Sequence, residues 1–111
     1  GSEADKVIDN ARAYIKGVKA ANPNMACTAK HFPGDGVEEL DQHLVMGVNN
    51  LSVDEWEESF GKVYRTLIDE GLEAIMVGHI ALPEMSRKLV PGIEDKDIKP
   101  ATLSKEWTRD Y

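Results

Sequence analysis

Apolar side chains recur at every third or fourth position between Glu3 and Ala21, with charged and polar residues between them. That spacing places the apolar side chains on one face of an α-helix and predicts a single amphipathic helix. The sequence Ala21-Asn22-Pro23-Asn24 predicts its end, because proline disfavours helical geometry in the residue before it. The apolar positions of this helix are Val7, Ile8, Ala11, Ile15 and Val18.

Two short runs of a different kind follow, Met25 to Phe32 and Ala74 to Ile80, each mostly apolar and each with polar residues near its C-terminal end. Runs of this length without clear alternation are typical of strands that are buried on both faces of a parallel sheet. We therefore predict two strands, the first carrying Lys30 and His31 at its tip and the second carrying His79.

The segment between these strands divides into a loop and a helix. Pro33 to Leu51 shows no sustained periodicity, and a loop this long inside a compact domain is usually functional or disordered. Ser52 and Glu55 have the spacing of a capping box and open a helix for which Gly71 is the expected C-terminal stop. The apolar face of that helix comprises Val53, Trp56, Phe60, Val63, Tyr64 and Leu67.

The resulting order of helix, strand, long loop, helix and strand predicts an α/β fold with one β-α-β crossover. Because the carboxyl ends of parallel strands meet at one edge of a sheet, Lys30, His31 and His79 are expected at the same edge, where such folds bind ligands. Three prolines predict a loop-like stretch beyond Ile80, and Ser104 is expected to cap the start of a further helix at the C-terminal end.

Composition excludes several classes of function. The 111 residues carry 13 Lys and Arg against 20 Asp and Glu, a net charge of −7, which disfavours binding to nucleic acid. No apolar run reaches the ~18 residues of a membrane span, and no signal peptide is evident. Cytoplasmic placement is the default expectation, although Gly1-Ser2 resembles a cleavage scar and a signal peptide on a longer parent stays open. The single cysteine, Cys27, is expected to be an inert thiol buried in the first strand.

The stretch KHFPGDGVEELDQH, from Lys30 to His43, concentrates the candidate chemistry. A nucleotide-binding loop needs a third glycine and a helix that begins directly after the loop. The sequence has neither at this place, so a tight turn is the better interpretation of its two glycines. A metal site is a minority interpretation, since His31, Asp35, Asp41 and His43 are possible ligands but have no standard spacing. Alternatively, Asp41 could orient His43 for acid-base catalysis. From spacing alone, two solvated loop residues are the favoured interpretation.

The same residues also resemble a known family. The run Ala29-Lys30-His31-Phe32-Pro33-Gly34-x-Gly36, followed by Asp41-x-His43, resembles the signature of glycoside hydrolase family 3, in particular its β-N-acetylhexosaminidase branch. Val77-Gly78-His79-Ile80 is similar to the family's M-x-A-H element, and Pro100-Ala101-Thr102-Leu103-Ser104 to its P-A-S/T-L-S stretch. The resemblance implies that residues 3–111 are part of a TIM-type (β/α)8 barrel, which at full length takes roughly 250 residues.

The resemblance also implies roles for individual residues. Lys30 and His31 would hydrogen-bond sugar hydroxyls, and His43 would be the general acid/base with Asp41 as its dyad partner. Family β-glucosidases generally lack the D-x-H pair, which favours the hexosaminidase branch. The family commonly has histidine where Asp35 stands, so Asp35 inherits no catalytic role. His79 is a candidate for a supporting or packing role, with sugar contact as the alternative, and neither a metal nor a cofactor is implied.

A retaining mechanism is implied as well, in which an aspartate nucleophile forms a glycosyl-enzyme that water then hydrolyses. That nucleophile belongs to a G-F-D/N-G-x-x-x-[ST]-D strand that the 111 residues do not contain. We therefore expect the isolated chain to be inactive and to self-associate through exposed sheet edges. Two alternatives stay open: a family 3 β-glucosidase, and a non-enzymatic α/β module that binds a ligand or a protein.

Overall fold

The computed structural model describes residues 3–34 and 47–105 of the chain. Its first element, helix α1 (Glu3–Ala21), has the bounds that the apolar spacing predicts. Ala4 and Ile8 are its buried residues, so the contact with the rest of the fold is concentrated near the N-terminal half. None of the helices within the described residues has the length and apolar character needed to cross a membrane.

The second helical region starts as the sequence predicts. Helix α2 (Val53–Trp56), a π-helical turn (Glu57–Gly61) and helix α3 (Lys62–Asp69) follow one another without a break. The Glu55 backbone N–H donates to the Ser52 hydroxyl, and the Ser52 N–H donates to the Glu55 carboxylate, which confirms the capping box. The bond from the Ser52 N–H, followed by an interaction with the Ser52 hydroxyl, holds the pKa of the Glu55 carboxyl below its ordinary value.

The end of α3 is also the predicted one. The Gly71 N–H donates to the Ile68 carbonyl and the Leu72 N–H donates to the Leu67 carbonyl, a pair of bonds that closes the last helical turn. Gly71 has a φ of +97°, which only glycine adopts readily. The chain therefore turns sharply out of α3 towards the next strand.

Strands β1 (Thr28–Phe32) and β3 (Ala74–Val77) pair in parallel, which confirms the β-α-β crossover. The register places Lys30 opposite Met76, and it then shifts so that Phe32 stands opposite Val77. His31 therefore lies at an irregularity in the ladder. The ring of Phe32 packs edge-on against two rings of the second helical region, with centroid distances of 6.1 Å to Trp56 and 5.1 Å to Tyr64.

Burial on both faces of the first strand is not what the structure shows. Residues 28 and 30 of β1 are exposed and the other three are half-buried. β1 also begins three residues later than predicted, so Cys27 precedes the strand and is half-buried rather than fully buried. The physical reason is that β1 pairs with one neighbour among residues 3–34 and 47–105, which leaves much of its surface uncovered by that part of the chain.

The predicted second strand, Ala74 to Ile80, is in fact divided between two sheets. β3 ends at Val77, and after Gly78 and His79 the chain forms β4 (Ile80–Ala81), which pairs in parallel with β2 (Gly47–Val48). β2 lies inside the stretch predicted to be a loop. Two residues are too few to show a period in sequence, so this pairing is set by tertiary contacts.

The stretch after β4 is helical where a loop was predicted. Helix α4 (Pro83–Leu89) has Pro83 in its first turn, where proline is tolerated because that N–H needs no helical partner. Two short 3-10 turns follow, Asp95–Asp97 and Ala101–Leu103, and the core receives Met85 from α4 and Ala101 from the second of these turns. The buried core cluster consists of Trp56, Leu82, Met85 and Ala101. Ser104 is buried and extended. Apart from Lys105, the residues expected to form a helix after it lie outside the described ranges.

Glu73 joins three elements at the amino-terminal edge of the sheet. Glu73 directly precedes β3. Its carboxylate pairs with Lys19 near the end of α1 and accepts a hydrogen bond from the backbone N–H of Cys27, which precedes β1. The Lys19 hydrogen bond, followed by the Cys27 bond, holds the pKa of Glu73 below its ordinary value of 4.5. A lowered folded-state pKa contributes stability above the unfolded-state pKa, and that contribution is lost as the pH falls through the folded value.

We therefore expect Glu73→Gln to lower the free energy of unfolding at about pH 7 and to have a shrinking effect towards about pH 3.5. Urea denaturation of the wild-type chain and the variant across this range measures the difference. Glu58, which is exposed, provides the matched control, and Glu58→Gln should change the free energy of unfolding little. A deficit in Glu73→Gln that stays constant at acidic pH would show that lost packing, rather than lost charge, destabilises the variant.

Candidate functional site

The carboxyl ends of β1 and β3 meet at one edge, as the sequence predicts. The Gly78 backbone N–H donates to the Phe32 carbonyl over 2.8 Å, directly beyond the last paired residues of the two strands. A Cβ atom added to Gly78 would lie 2.7 Å from the Cβ of His31. The backbone of Gly78 is therefore in direct contact with the base of the His31 side chain, and the two strand tips are tightly apposed.

Lys30 and His31 both lie at this edge. Lys30 is exposed and His31 is half-buried, and the register shift after Lys30 separates His31 from the regular ladder. An exposed ammonium next to a partly buried imidazole offers several hydrogen-bond donors in a small area. The structure thus places the two residues together at the end of β1, in positions that a polar ligand can reach.

His79 begins the connection from β3 to β4 and has contacts of a different kind. Its Nδ1 lies 3.0 Å from the hydroxyl of Thr102, in the turn Ala101–Leu103, and the side chain is exposed. Its backbone carbonyl accepts from the Gly47 N–H over 3.0 Å. This histidine therefore connects three parts of the fold, and its supporting role stays a prediction.

Asp41 and His43, the predicted dyad, lie outside the described residues, as does Asp35. The structure describes the chain up to Gly34, at this edge, and again from Gly47. Both points lie beside the strand tips, since Gly34 follows β1 directly and Gly47 binds the carbonyl of His79. Residues 35–46 therefore start and end at the edge that carries Lys30 and His31.

Two side chains from beyond Gly47 hold the carbonyls that follow β1. The indole N–H of Trp56 donates to the Pro33 carbonyl over 2.7 Å, and the side-chain amide of Asn49 donates to the Gly34 carbonyl over 3.3 Å. Sequence reasoning did not single out Asn49, and Trp56 was assigned only to the apolar face of its helix. A buried asparagine leaves no periodic signal, and the tandem Asn49-Asn50 reads as an ordinary turn.

Gly34 is fixed by packing as well as by hydrogen bonding. It is buried and has a φ of +141°, and a Cβ atom placed there would lie 2.5 Å from the ring of Phe60. Phe60 belongs to the π-helical turn, so this turn covers the point at which the chain leaves β1. Among residues 3–34 and 47–105, no group of three or more His, Cys, Asp or Glu side chains is arranged to hold a metal ion.

These features define an α/β protein in which parallel strands end in basic and imidazole side chains at the edge where such folds bind ligands. The family model described as "Glycosyl hydrolase family 3 N terminal domain" matches residues 1–111. The chain therefore belongs to glycoside hydrolase family 3, a family of hydrolytic enzymes, as the motifs indicated.

Named relatives and a solved structure agree with this assignment. A β-N-acetylglucosaminidase/β-glucosidase of Cellulomonas fimi is 47% identical over 110 residues, covering 99% of this chain and 19% of that protein. A β-hexosaminidase of Tolumonas auensis is 34% identical over 110 residues, covering 98% of this chain and 29% of that protein. The structure of the β-glucoside phosphorylase BglX bound to 2FGlc superimposes with a TM-score of 0.90 at 44% identity, covering 99% of this chain and 19% of that one. The chain thus spans 19% to 29% of the length of these proteins.

Proposed function

We propose that the protein containing this chain is a retaining glycoside hydrolase that removes terminal β-linked N-acetylhexosamine, and that residues 3–111 are part of its (β/α)8 barrel. The match of the family model to residues 1–111 carries the proposal, because it spans every motif at the polar edge. The parallel β1-β3 pair with its intervening helix is the repeating unit of such a barrel. Active sites of these barrels lie at the carboxyl ends of the strands, where Lys30 and His31 stand.

In this proposal each residue has a distinct chemical task. Lys30 and His31 donate hydrogen bonds to sugar hydroxyls, and an aspartate outside these 111 residues attacks the anomeric carbon. His43, oriented by Asp41, gives its proton to the departing glycosidic oxygen and afterwards takes one from water as water opens the glycosyl-enzyme ester. The position of Gly34 directly after β1 and of Gly47 beside His79 supports these roles, since the segment that carries the dyad runs between these two residues.

Phosphorolysis is a second candidate, favoured by the likeness to the β-glucoside phosphorylase structure. A phosphate oxygen would attack the anomeric carbon of the glycosyl-enzyme, the ester bond to the aspartate would break with its electron pair returning to the carboxylate, and a glycosyl phosphate would form. Retaining glycosidases usually have a second carboxylate next to the site of attack. An Asp-His dyad in its place carries less negative charge. A phosphate anion would therefore meet less repulsion there.

A single assay of the full-length protein distinguishes these possibilities. Aryl β-N-acetylglucosaminide and aryl β-glucoside are compared with and without inorganic phosphate, and the sugar products are identified. Preference for the N-acetylated substrate with free sugar as product is the expected result. Preference for the glucoside indicates a β-glucosidase, and glycosyl phosphate as the main product indicates a phosphorylase. Absence of turnover on any glycoside would favour the rival class, a non-enzymatic binding module.

The isolated 111 residues are proposed to be inactive, because the family's nucleophile motif is not among them. They are also expected to self-associate. Several apolar side chains lie exposed, among them Val7 at 51% and Met76 at 49%, and a hollow of about 520 Å³ opens between α1, β1 and the π-helical turn. Light scattering over a concentration series should show the mean mass rising above 12.3 kDa. A constant monomer mass at high concentration would contradict this expectation.

A further inference from the structure

Gly78 is the residue at which the tip of β3 touches the tip of β1. It is buried, and its backbone N–H donates to the Phe32 carbonyl over 2.8 Å. Its φ lies outside the positive range that Gly34 occupies, so backbone strain does not require a glycine here. What distinguishes the position is a contact, since a Cβ atom on residue 78 would lie 2.7 Å from the Cβ of His31.

This overlap cannot be relieved easily by a movement of Gly78 itself. Val77 belongs to the paired part of β3, and the carbonyl of His79 accepts a backbone hydrogen bond from the start of β2. Gly78 is therefore held from both sides along the chain. His31, in contrast, is half-buried and lies at the irregularity in the ladder of β1 and β3. A side chain at position 78 would consequently displace His31.

The size of the displacement matters for a group that binds a ligand. Carbon atoms in contact lie about 3.5 to 4.0 Å apart, so a methyl group at position 78 would move the base of the His31 side chain by about 0.8 Å. Binding groups must be held within about 0.5 Å of their productive geometry. Lys30 pairs with Met76 in the regular part of the ladder and would stay in place. The imidazole would thus shift relative to the ammonium beside it.

We propose that Gly78 is a positioning residue for the recognition of a sugar hydroxyl by His31. The lack of a side chain at position 78 sets the distance between the two strand tips, and with it the place of the imidazole beside Lys30. The inference rests on the proposed role of His31 as a donor to the sugar. It adds that β3 contributes to this recognition through a residue that acts on His31.

The test uses the full-length protein and aryl β-N-acetylglucosaminides from which a single sugar hydroxyl has been removed, one position at a time. The measured quantity is kcat/KM for the intact glycoside divided by kcat/KM for the deoxy glycoside. This ratio reports the hydrogen bond to the missing hydroxyl and is independent of the concentration of folded enzyme. His31→Ala identifies the hydroxyl that His31 binds, because the ratio for that hydroxyl should fall by roughly fivefold.

Gly78→Ala should lower the ratio for the same hydroxyl by about two- to fivefold and leave the other ratios near those of the wild type. Added to His31→Ala, it should not change this ratio further, because both substitutions act through one imidazole. Gly17→Ala is the matched control. It adds the same methyl group where no atom lies within 4 Å, and every ratio should be that of the wild type.

A second variant separates His31 from the other neighbour of the added Cβ. That Cβ would also lie 3.0 Å from the Cδ1 of Ile80, which is fully buried. Combining Gly78→Ala with Ile80→Val removes this atom and leaves the contact with His31. The ratio should therefore stay low in the double variant, which also provides the measurement if Gly78→Ala alone does not fold.

Recovery of the ratio in the double variant would overturn the proposal, because the effect would then run through Ile80. Equal losses by Gly78→Ala on intact and deoxy glycosides would do the same, since they would show a merely structural role. If His31→Ala lowers one ratio and Gly78→Ala lowers none, the sugar contact stands and only the positioning role is wrong. If His31→Ala lowers no ratio, the proposed sugar contact of His31 is wrong, and the role of Gly78 is wrong with it.

Discussion

His43→Ala in the full-length protein is expected to lower kcat/KM for an alkyl β-N-acetylglucosaminide by about 10²- to 10⁴-fold, the usual contribution of a general acid. Its effect on the 2,4-dinitrophenyl glycoside should be far smaller, because that leaving group departs without a proton. Asp41→Asn should produce the same pattern with a smaller loss, because the imidazole remains but its orientation and charge are no longer supported.

A second measurement on the same variant concerns the other half of the reaction. Azide ions attack the glycosyl-enzyme without needing a base, so added azide should accelerate turnover of the dinitrophenyl substrate by His43→Ala and yield a glycosyl azide. Asp35→Asn serves as the control within the same segment and should retain activity near that of the wild type. Equal losses by His43→Ala on both substrates, without azide rescue, would assign His43 to binding or structure and not to proton transfer.

Gly34→Ala should destabilise the chain by about 3 kcal/mol or more, because it combines backbone strain with steric overlap. The φ of +141° disfavours any L side chain, and the new Cβ would lie 2.5 Å from the Phe60 ring. Urea denaturation of the 111-residue chain measures the loss. Adding Phe60→Ala should relieve the overlap but not the strain, so the two substitutions are expected to be strongly non-additive.

Two other glycines provide matched controls for this measurement. Gly71 has a φ of +97° with no atom within 4 Å of an added Cβ, so Gly71→Ala isolates the backbone cost and should destabilise by about 1 kcal/mol. Gly17 lies within α1 with open space around it, and Gly17→Ala should stabilise the chain by about 0.5 to 1 kcal/mol. If Gly34→Ala lowers the free energy of unfolding no more than Gly71→Ala does, the Phe60 ring moves aside without a loss of stability.

Local signals in the sequence predicted the helical parts of the fold well. α1, the capping box at Ser52 and the stop at Gly71 all depend on interactions within a few residues, and the structure confirms them. The parallel pairing of β1 with β3 was also predictable, since a helix lies between the strands. Where partners are distant in sequence, prediction failed. β2 exists only through its pairing with β4, and α4 was missed because proline was taken as a helix breaker rather than a first-turn residue.

The candidate site divides in the same way. Lys30, His31 and His79 were predicted from the polar ends of apolar runs, and the structure places Lys30 and His31 at one edge with His79 just beyond it. The roles of Asp41 and His43 came from a family resemblance, because spacing alone does not distinguish a dyad from two solvated side chains. Asn49 could not be predicted, because its significance depends on Gly34, 15 residues earlier in the chain.

The connection between β3 and β4 has a consequence for how this family can vary in length. Gly78 binds Phe32 at the point where the chain leaves β1, and the next residue, His79, binds Gly47 at the point where the chain returns. One extra residue between Val77 and Ile80 would shift these two attachment points relative to each other by about 3.3 Å. Insertions here should therefore not be tolerated even though His79 is exposed. A homologue with a longer connection should have lost this arrangement of the edge that carries Lys30 and His31.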